Sequence, residues 1–371
     1  MRISRAQLAA AVGTLVVLGG GVAAFTLLRN RVSRAGGDVP TPIAAPKAVE
    51  TTPRWLDGTP LPEGAPQPSA VAVVVDNAPE SQPQAGLAAA PLVFEVPVEG
   101  RRTRFLAVYP TTGTSVVRIG PVRSARPYFV GLADALAVPL VHVGGSPAAL
   151  ALLASRPHVN QYFDPPFTRD HGRSAPFNVF TALSELASFV ETRGLAGTPS
   201  RSSPSRLWSF AAALPQGLTA REGQDIRLAF SGYESSYVVA WKYDSEIGVY
   251  IRRRGGAILR DADGTAVAAA NVVVLSVQSR VLDAVGRLSI PAIEPPLPSA
   301  SGGSGSVARA TVFRGGQRID GQWGWEGDPS DGGVFGLRQA QGAEGGGAAL
   351  QAIPLAPGTT WVEVVDWNVE S

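Results

Sequence analysis

Six arginines and no acidic residue lie within residues 100–133 of this 371-residue chain. Guanidinium groups bind carboxylates and phosphates through paired hydrogen bonds, so a stretch with this much positive charge needs negative partners. Those partners are either carboxylates of the chain itself, for which Asp76, Glu95 and Glu99 lie just upstream, or an anionic ligand. The six arginines are Arg101, Arg102, Arg104, Arg118, Arg123 and Arg126.

Two carboxylates lie on a strand predicted just before these arginines. Because strand side chains alternate between two faces, the spacing predicts that Glu95 and Glu99 share one face, opposite the apolar residues. Arg104 follows a short turn and can pair with either carboxylate if the two strands form a hairpin. A structural salt-bridge cluster and a ligand or metal site both fit this pattern, and the choice stays open.

Residues 118–126 (RIGPVRSAR) place three guanidinium groups around a Gly-Pro turn between a predicted strand and a predicted helix. Pro127 suits the first position of that helix. Unpaired amides at a helix start bind anions and arginine adds bidentate contacts, which favours a phosphate or carboxylate here. The alternative is that Arg123 and Arg126 only solvate a loop.

Residues 142–147 (HVGGSP) repeat this arrangement at the end of the next predicted strand. Ser146 followed by proline favours a helix N-cap over a nucleophile. His142 lies on an apolar strand, which favours a buried core histidine, and its place at the strand end leaves a general base as the alternative. Residues 169–173 (RDHGR) form a mixed-charge loop, solvated unless it folds over the other arginines.

The composition excludes several kinds of site. The chain has no cysteine, which excludes disulfides and thiolate zinc sites. It has no P-loop, dinucleotide-binding fingerprint, His-Glu-x-x-His motif or Gly-x-Ser-x-Gly elbow, so no cofactor is indicated. The net charge is only +2 and few aromatic residues are interleaved with basic ones, so we expect no nucleic-acid partner.

Residues 8–28 form an uncharged run long enough to cross a bilayer as one helix. We predict a cytoplasmic tail at residues 1–7, a single membrane anchor at 8–28 and a Pro- and Ala-rich spacer at 29–68. A cleaved signal peptide is the alternative, since residues 22–24 (VAA) offer small side chains to a peptidase. Arginines on both sides of the run leave its orientation open.

Beyond the spacer, the pattern predicts two domains. Strands alternate with helices in residues 69–193, which indicates a mixed α/β domain. Residues 194–224 are predicted to be a linker, and residues 225–367 give short strands and turns, typical of a mostly β domain. The helices are predicted at residues 127–137, 147–155 and 182–193.

Several motifs in this chain resemble the YerB-like family of exported bacterial lipoproteins. The first domain contributes VVVDN (73–77), PQAGL (83–87), EVPVEG (95–100), GPVRSARPY (120–128) and HVGGS (142–146). The second contributes DADG (261–264), NVVV (271–274), GGQRIDGQW (315–323) and LAPGTTWVE (355–363). The resemblance implies an envelope protein with N- and C-terminal domains outside the cytoplasm, and it supplies no established activity.

Two departures from the family pattern stand out. Members of the family are typically lipidated on a cysteine, and this chain has none. The family usually has histidine where Phe177 stands here, which weakens any catalytic role for a histidine in that loop.

Two functional hypotheses follow. The first is a membrane-anchored, extracytoplasmic protein that binds an anionic cell-envelope ligand or cell-wall component through its arginines. The second is a metal-assisted phosphotransferase acting on a lipid-pyrophosphate-linked glycan, by analogy with the LytR-CpsA-Psr enzymes. A scaffold for cell-wall machinery is a third possibility. The candidate ligand-binding residues are Asp76, Asn77, Glu95, Glu99, Arg104, Arg118, Arg123, Arg126, His142, Ser146, Arg169, Asp170 and Arg173.

Overall fold

The computed structural model describes residues 51–112, 117–195, 208–230, 237–295, 308–326, 334–340 and 350–366. The predicted cytoplasmic tail and membrane anchor, and the predicted spacer up to residue 50, lie outside these residues. Within the described part of the chain, no helix has the length and apolar character needed to span a bilayer.

The described residues are mostly strand, with few helices. The α-helices within the described residues are α1 (Pro127–Leu136), α2 (Pro147–Leu153) and α3 (Leu183–Thr192). The strands of the N-terminal part are β1 (Thr51–Pro53), β2 (Pro60–Pro62), β3 (Ala70–Asp76), β4 (Leu92–Val98), β5 (Arg102–Pro110), β6 (Arg118–Ile119), β7 (Leu140–His142), β8 (His158–Asn160), β9 (Thr168–Arg169) and β10 (Val179–Ala182).

The C-terminal part is rich in β-strands, as predicted. Its strands are β11 (Arg221–Glu222), β12 (Asp225–Ala229), β13 (Val238–Asp244), β14 (Val249–Arg254), β15 (Ala257–Ile258), β16 (Ala268–Ala269), β17 (Asn271–Val277), β18 (Arg280–Val281), β19 (Leu288–Ser289), β20 (Ala308–Arg314), β21 (Gln317–Glu326), β22 (Val334–Ala340), β23 (Leu350–Ala352) and β24 (Thr360–Asp366).

One long sheet joins the two parts of the chain. Its strand order is β23-β22-β21-β20-β17-β24-β4-β5-β3-β7-β8. The short strand β11 also pairs with β21. The junction is the parallel pair of β24 and β4, in which Glu363 lies opposite Glu95. Strands from both predicted domains therefore hydrogen-bond into the same sheet.

The central strands are buried on both faces because their sequences are nearly continuous apolar runs. Alternation sends Phe94 and Val96 of β4 into one core with α1, and Val93 into a second core. The second core is covered by a separate sheet, in which β12, β13, β14 and β15 are adjacent and β16 pairs with β14. The long sheet thus has a layer packed on each face.

Two predicted connecting segments contain packed residues. Trp55 and Leu56 belong to the predicted spacer, yet they are buried in the core that contains α1. Trp208 belongs to the predicted linker and is buried in the same core, where its ring contacts Phe94 and Phe335. Composition misses these contacts because single large apolar residues within Pro- and Gly-rich sequence give no periodicity.

The predicted helices are confirmed to within two residues at each end. The hairpin predicted for residues 236–253 is confirmed as the antiparallel pair of β13 and β14. The strand predicted for residues 115–119 is described only as β6, since residues 113–116 lie outside the described part.

Candidate functional site

Three neighbouring strands end at one edge of the long sheet. The strands β3, β7 and β8 are parallel to each other, and their last residues are Asp76, His142 and Asn160. Ligand sites of open sheets with parallel strands lie beyond the carboxyl ends of those strands. This edge is therefore the first place to look for a functional site.

Residues 120–126 run across this edge. Val122 forms a bridge with Val75, and Ala125 forms a bridge with Gly145. The amide of Arg123 donates to the carbonyl of Val74 at 2.8 Å. The segment thus lies between the ends of β3 and β7 and carries two of the predicted arginines to the end of β3.

Five charged side chains meet at this edge, and we call them the Arg104 cluster: Asp76, Glu99, Arg104, Arg123 and Arg126. Arg123 Nε donates to Asp76 Oδ2 at 2.7 Å, and Arg126 Nε donates to Glu99 Oε2 at 2.9 Å. Arg104 lies between the two carboxylates, with Nε 3.7 Å from Asp76 Oδ2 and Nη2 3.6 Å from Glu99 Oε1. The cluster is the structural outcome of the arginine-rich stretch.

Positive charge exceeds negative charge in the Arg104 cluster, because three guanidinium groups share two carboxylates. Arg104 Nε is buried and makes no hydrogen bond with any described residue. Burial and the nearby charge of Arg126 lower the pKa of Arg104. Burial alone would raise the pKa of Glu99, but hydrogen bonding to Arg126 and the charges of Arg104 and Arg126 lower it to about 2. Glu99 therefore stays ionised, and one positive charge remains uncompensated.

The prediction that Glu95 and Glu99 share a surface is wrong. Strand β4 ends at Val98, and Glu99 begins a short 3-10 turn, so the alternation that relates the two residues is broken. Glu99 turns toward Arg126, whereas Glu95 is fully buried on the opposite side of the sheet. The two carboxylates therefore belong to different clusters.

Glu95 belongs to a second group, the Arg252 cluster: Glu95, Trp241, Arg252 and Glu363. Arg252 pairs with Glu95 and with Glu363, the latter at 2.8 Å between Nη1 and Oε1. The indole Nε1 of Trp241 donates to Glu363 Oε1 at 2.7 Å. Burial raises the pKa of Glu363 to about 8, against the lowering effect of Arg252. This cluster is sealed beneath the second sheet.

Asn77 faces the Arg252 cluster rather than the arginine-rich segment. Its Nδ2 donates to Glu95 Oε1 at 2.9 Å and to Thr103 Oγ1 at 2.7 Å. Its backbone carbonyl accepts from Arg254 and from the Tyr237 hydroxyl, both of the C-terminal part. The adjacent residues Asp76 and Asn77 therefore serve opposite faces of the sheet.

Arg118 does not join the Arg104 cluster. It pairs with Asp170 at 2.6 Å and stacks on Phe180, with 3.7 Å between the guanidinium carbon and the ring centre. The charged loop at residues 169–173 thus folds over one of the arginines. Its Arg173 donates to the carbonyls of Ser81 and Pro83, and its Arg169 donates to Asn178. These three arginines have partners outside the cluster.

The two polar residues of the HVGGS motif have structural roles. Ser146 is the N-cap of α2, since its hydroxyl accepts from the amide of Ala149 at 3.3 Å. His142 is fully buried, with Nδ1 2.7 Å from the carbonyl oxygen of Gly144. Burial lowers the pKa of His142 to about 4. The interpretations as a cap and as a core histidine are both confirmed.

A cavity of about 500 Å³ opens beside the Arg104 cluster. Its lining includes Ser124, whose backbone carbonyl accepts from Arg104 Nη1 at 3.3 Å. The cavity is also lined by Gly144, Leu150, His158, Asn160, Tyr162 and Phe163. Sequence reasoning missed the loop after β8, although residues 161–167 (QYFDPPF) place three aromatic residues in a turn-forming context.

Asp76, Glu95 and Glu99, the carboxylates that a metal-assisted mechanism could use, do not converge. Asp76 and Glu99 are each engaged by arginine, and Glu95 is in the other cluster. Within the described ranges, no group of three or more histidine or acidic side chains is arranged to hold a metal ion. The geometry gives the phosphotransferase hypothesis no specific support.

The sequence of this chain is similar to a protein family with two domains and to a bacterial protein of that family. The chain matches the DUF3048 N-terminal domain, described as a protein of unknown function, over residues 56–196, and the DUF3048 C-terminal domain over residues 226–362. It is 30% identical over 300 residues to a Bacillus subtilis protein described as "Putative lipoprotein YerB", with 80% of each chain covered.

A solved structure agrees as well. The crystal structure of the YerB protein from Bacillus subtilis superposes with a TM-score of 0.65 at 26% identity, over 85% of this chain and 96% of that one. The matched length includes both parts of the long sheet. This chain therefore contains the DUF3048 N-terminal and C-terminal domains and belongs to the YerB-like family.

Proposed function

We propose that this chain is an envelope-associated, extracytoplasmic protein that binds an anionic ligand at the Arg104 cluster. The location is supported by the relative described as a lipoprotein and by the uncharged run at residues 8–28, which would anchor the chain in the cell membrane. The bulk of the chain would then face the envelope, where anionic polymers and lipids are available.

One observation carries the binding proposal: three guanidinium groups share two carboxylates beside an open cavity. Exposed arginines attract anions weakly because water and salt screen them, whereas partly buried arginines are screened much less. The side chain of Arg104 is 8% exposed and that of Arg123 is 19% exposed. An anion that reaches Arg123 would replace water with bidentate hydrogen bonds and would compensate the remaining charge.

Two other features support a binding surface at this edge. Arg123 and Arg126 are held in place by Asp76 and Glu99, so little side-chain freedom is lost when a ligand binds. Phe177 also lies 5.5 Å from the guanidinium carbon of Arg123, measured to the ring centre. The position at which the family usually has histidine is thus beside the cluster.

The experiment is calorimetric titration of the full-length chain with poly(glycerol phosphate), which carries anions without sugar rings. We expect Arg123→Ala to weaken binding about tenfold, as loss of one charge-assisted contact implies. Arg118→Ala is the matched control, because Arg118 pairs with Asp170 outside the cluster, and we expect it to leave affinity unchanged. Unchanged affinity in folded Arg123→Ala protein, or no binding by the wild type, would contradict the proposal.

A further inference from the structure

The loop after β8 presents two aromatic rings to solvent. Phe163 is 83% exposed and Tyr162 is 66% exposed, and Leu150 on α2 is 40% exposed beside them. All three line the cavity next to the Arg104 cluster. Large apolar side chains that are exposed next to one another often mark an interaction site or a ligand-binding groove.

The turn that carries the rings is held in one conformation. Asn160 Oδ1 accepts from the amide of Gly144 at 3.1 Å and from the amide of Tyr162 at 3.4 Å. The amide of Asn160 donates to Asp164 Oδ2 at 2.8 Å, and the amide of Phe163 donates to the carbonyl of Asn160 at 2.9 Å. The rings are therefore preorganised in an exposed position, which lowers the entropic cost of binding.

Gly144 allows the Tyr162 ring to lie against the backbone. Its φ is +60°, and a Cβ atom at this position would come within 3.0 Å of the Tyr162 ring. One side of the ring is thus supported by the HVGGS motif while the rest of the ring stays open. Gly144 of the HVGGS motif therefore has a role of its own, separate from the helix cap of Ser146 and the buried His142.

We propose that Tyr162 and Phe163 form a platform for a sugar ring, so that the anionic ligand of the proposed function is an anionic glycan. An aromatic face carries negative partial charge and contacts the C–H groups on one face of a sugar. Ser124 and His158 line the same cavity and offer polar groups to the hydroxyls at the sugar edge. The inference rests on the proposed function, which supplies the anionic end.

The geometry favours a sugar over an acyl chain. An acyl chain gains from complete removal of its surface from water, which an open surface with such exposed rings does not provide. It would also cover the polar lining residues without hydrogen-bonding to them. A sugar can pack its C–H groups on the rings and hydrogen-bond to the polar groups with its hydroxyls. Its charge then lies toward Ser124, whose carbonyl contacts Arg104.

The test compares four probes by calorimetric titration of the full-length chain. Poly(glycerol phosphate) is an anion without sugar rings, and an N-acetylglucosamine tetramer has sugar rings without charge. Glucosylated poly(glycerol phosphate) and glycan strands of alternating N-acetylglucosamine and N-acetylmuramic acid have both, with phosphate in one and carboxylate in the other. The stronger binder of the last two identifies the source of the charge.

We expect the double variant Tyr162→Ala/Phe163→Ala to bind the preferred anionic glycan about tenfold more weakly, a loss typical of two aromatic contacts. Its affinity for poly(glycerol phosphate) should be unchanged. Ile247→Ala, which truncates an exposed apolar side chain at the turn between β13 and β14, is the control and should bind as the wild type does.

Failure of this inference is distinguishable from failure of the proposed function. If the double variant binds the anionic glycans as tightly as the wild type, the platform is excluded while anion binding stands. If the wild type does not bind poly(glycerol phosphate), the proposed function itself is contradicted. Because both rings are exposed, we expect the double variant to unfold at the wild-type temperature.

Discussion

The Arg104 cluster and the Arg252 cluster use the same residue types on opposite faces of one sheet. The first has three arginines and two carboxylates at a strand end, and the second has one arginine between two carboxylates under a second sheet. The first is partly open and retains positive charge. The second is fully buried, and burial, with a smaller contribution from the charge of Glu95, raises the pKa of Glu363 to about 8.

The role of an arginine–carboxylate group therefore depends on its position in the fold. At the end of β3, the charges lie within reach of solvent and of a cavity, where a ligand can complete them. Between the sheets, every charge must be neutralised by the chain itself, because burial of an unpaired charge is costly. We therefore expect the Arg104 cluster to affect binding and the Arg252 cluster to affect stability.

The largest expected effect follows from removing Arg252. Arg252→Met leaves two carboxylates buried without their cation, and we expect a loss of about 3–5 kcal/mol in the free energy of unfolding. Urea unfolding followed by tryptophan fluorescence measures this. Arg221→Met is the control, since Arg221 is 66% exposed and pairs with Asp320 at the surface, and a loss below about 1 kcal/mol is expected there.

Equal destabilisation by Arg252→Met and Arg221→Met would break the comparison. It would mean that the Arg252 cluster contributes no more than a surface ion pair. The two parts of the chain would then be held together by the pairing of β24 with β4 and by apolar contacts such as the edge-to-face packing of Phe105 on Trp361.

The next effect is the opposite pH dependence of the two clusters. The pKa of Glu363 is raised in the folded state from 4.5 to about 8, so the folded chain binds a proton that the unfolded chain releases, and stability falls as pH rises through this window. The pKa of Glu99 is lowered from 4.5 to about 2, so its contribution is present above 4.5 and is lost as pH falls toward 2.

Two isosteric variants separate these contributions. As pH rises from 4.5 to about 8, the wild type should lose stability relative to Glu363→Gln. The difference in free energy of unfolding between wild type and Glu99→Gln should favour the wild type, by about 1–3 kcal/mol at neutral pH, and vanish in acid. Glu80→Gln is the control for an exposed carboxylate that lies 3.9 Å from Arg102. The same pH slope for both variants would contradict the assignment.

Local sequence predicted much of the first cluster and none of the second. Asp76, Glu99, Arg104, Arg123 and Arg126 were all expected at one ligand site, but so were Glu95 and Arg118, which the structure places elsewhere. Arg252 lies 157 positions from Glu95, and no local pattern relates them. The pairing of β24 with β4 is equally long-range, so the predicted domains gave no sign of their shared sheet.

The aromatic platform was missed for a different reason. Hydrophobic patterns predict which residues are buried, and Tyr162 and Phe163 occur beside Pro165 and Pro166 without any period. Their exposure depends on the hydrogen bonds of Asn160, which only the packed structure brings together. The burial of Trp55 and Trp208 escaped prediction in the same way.

Ligand binding at the Arg104 cluster can be observed by NMR of the arginine Nε–H signals in the full-length chain, titrated with poly(glycerol phosphate). Single Arg→Lys variants assign the signals of Arg104, Arg123, Arg126 and Arg252. We expect the signals of the Arg104 cluster to shift and saturate together while the Arg252 signal stays fixed. Saturable binding that leaves the signals of Arg104, Arg123 and Arg126 unmoved would contradict it.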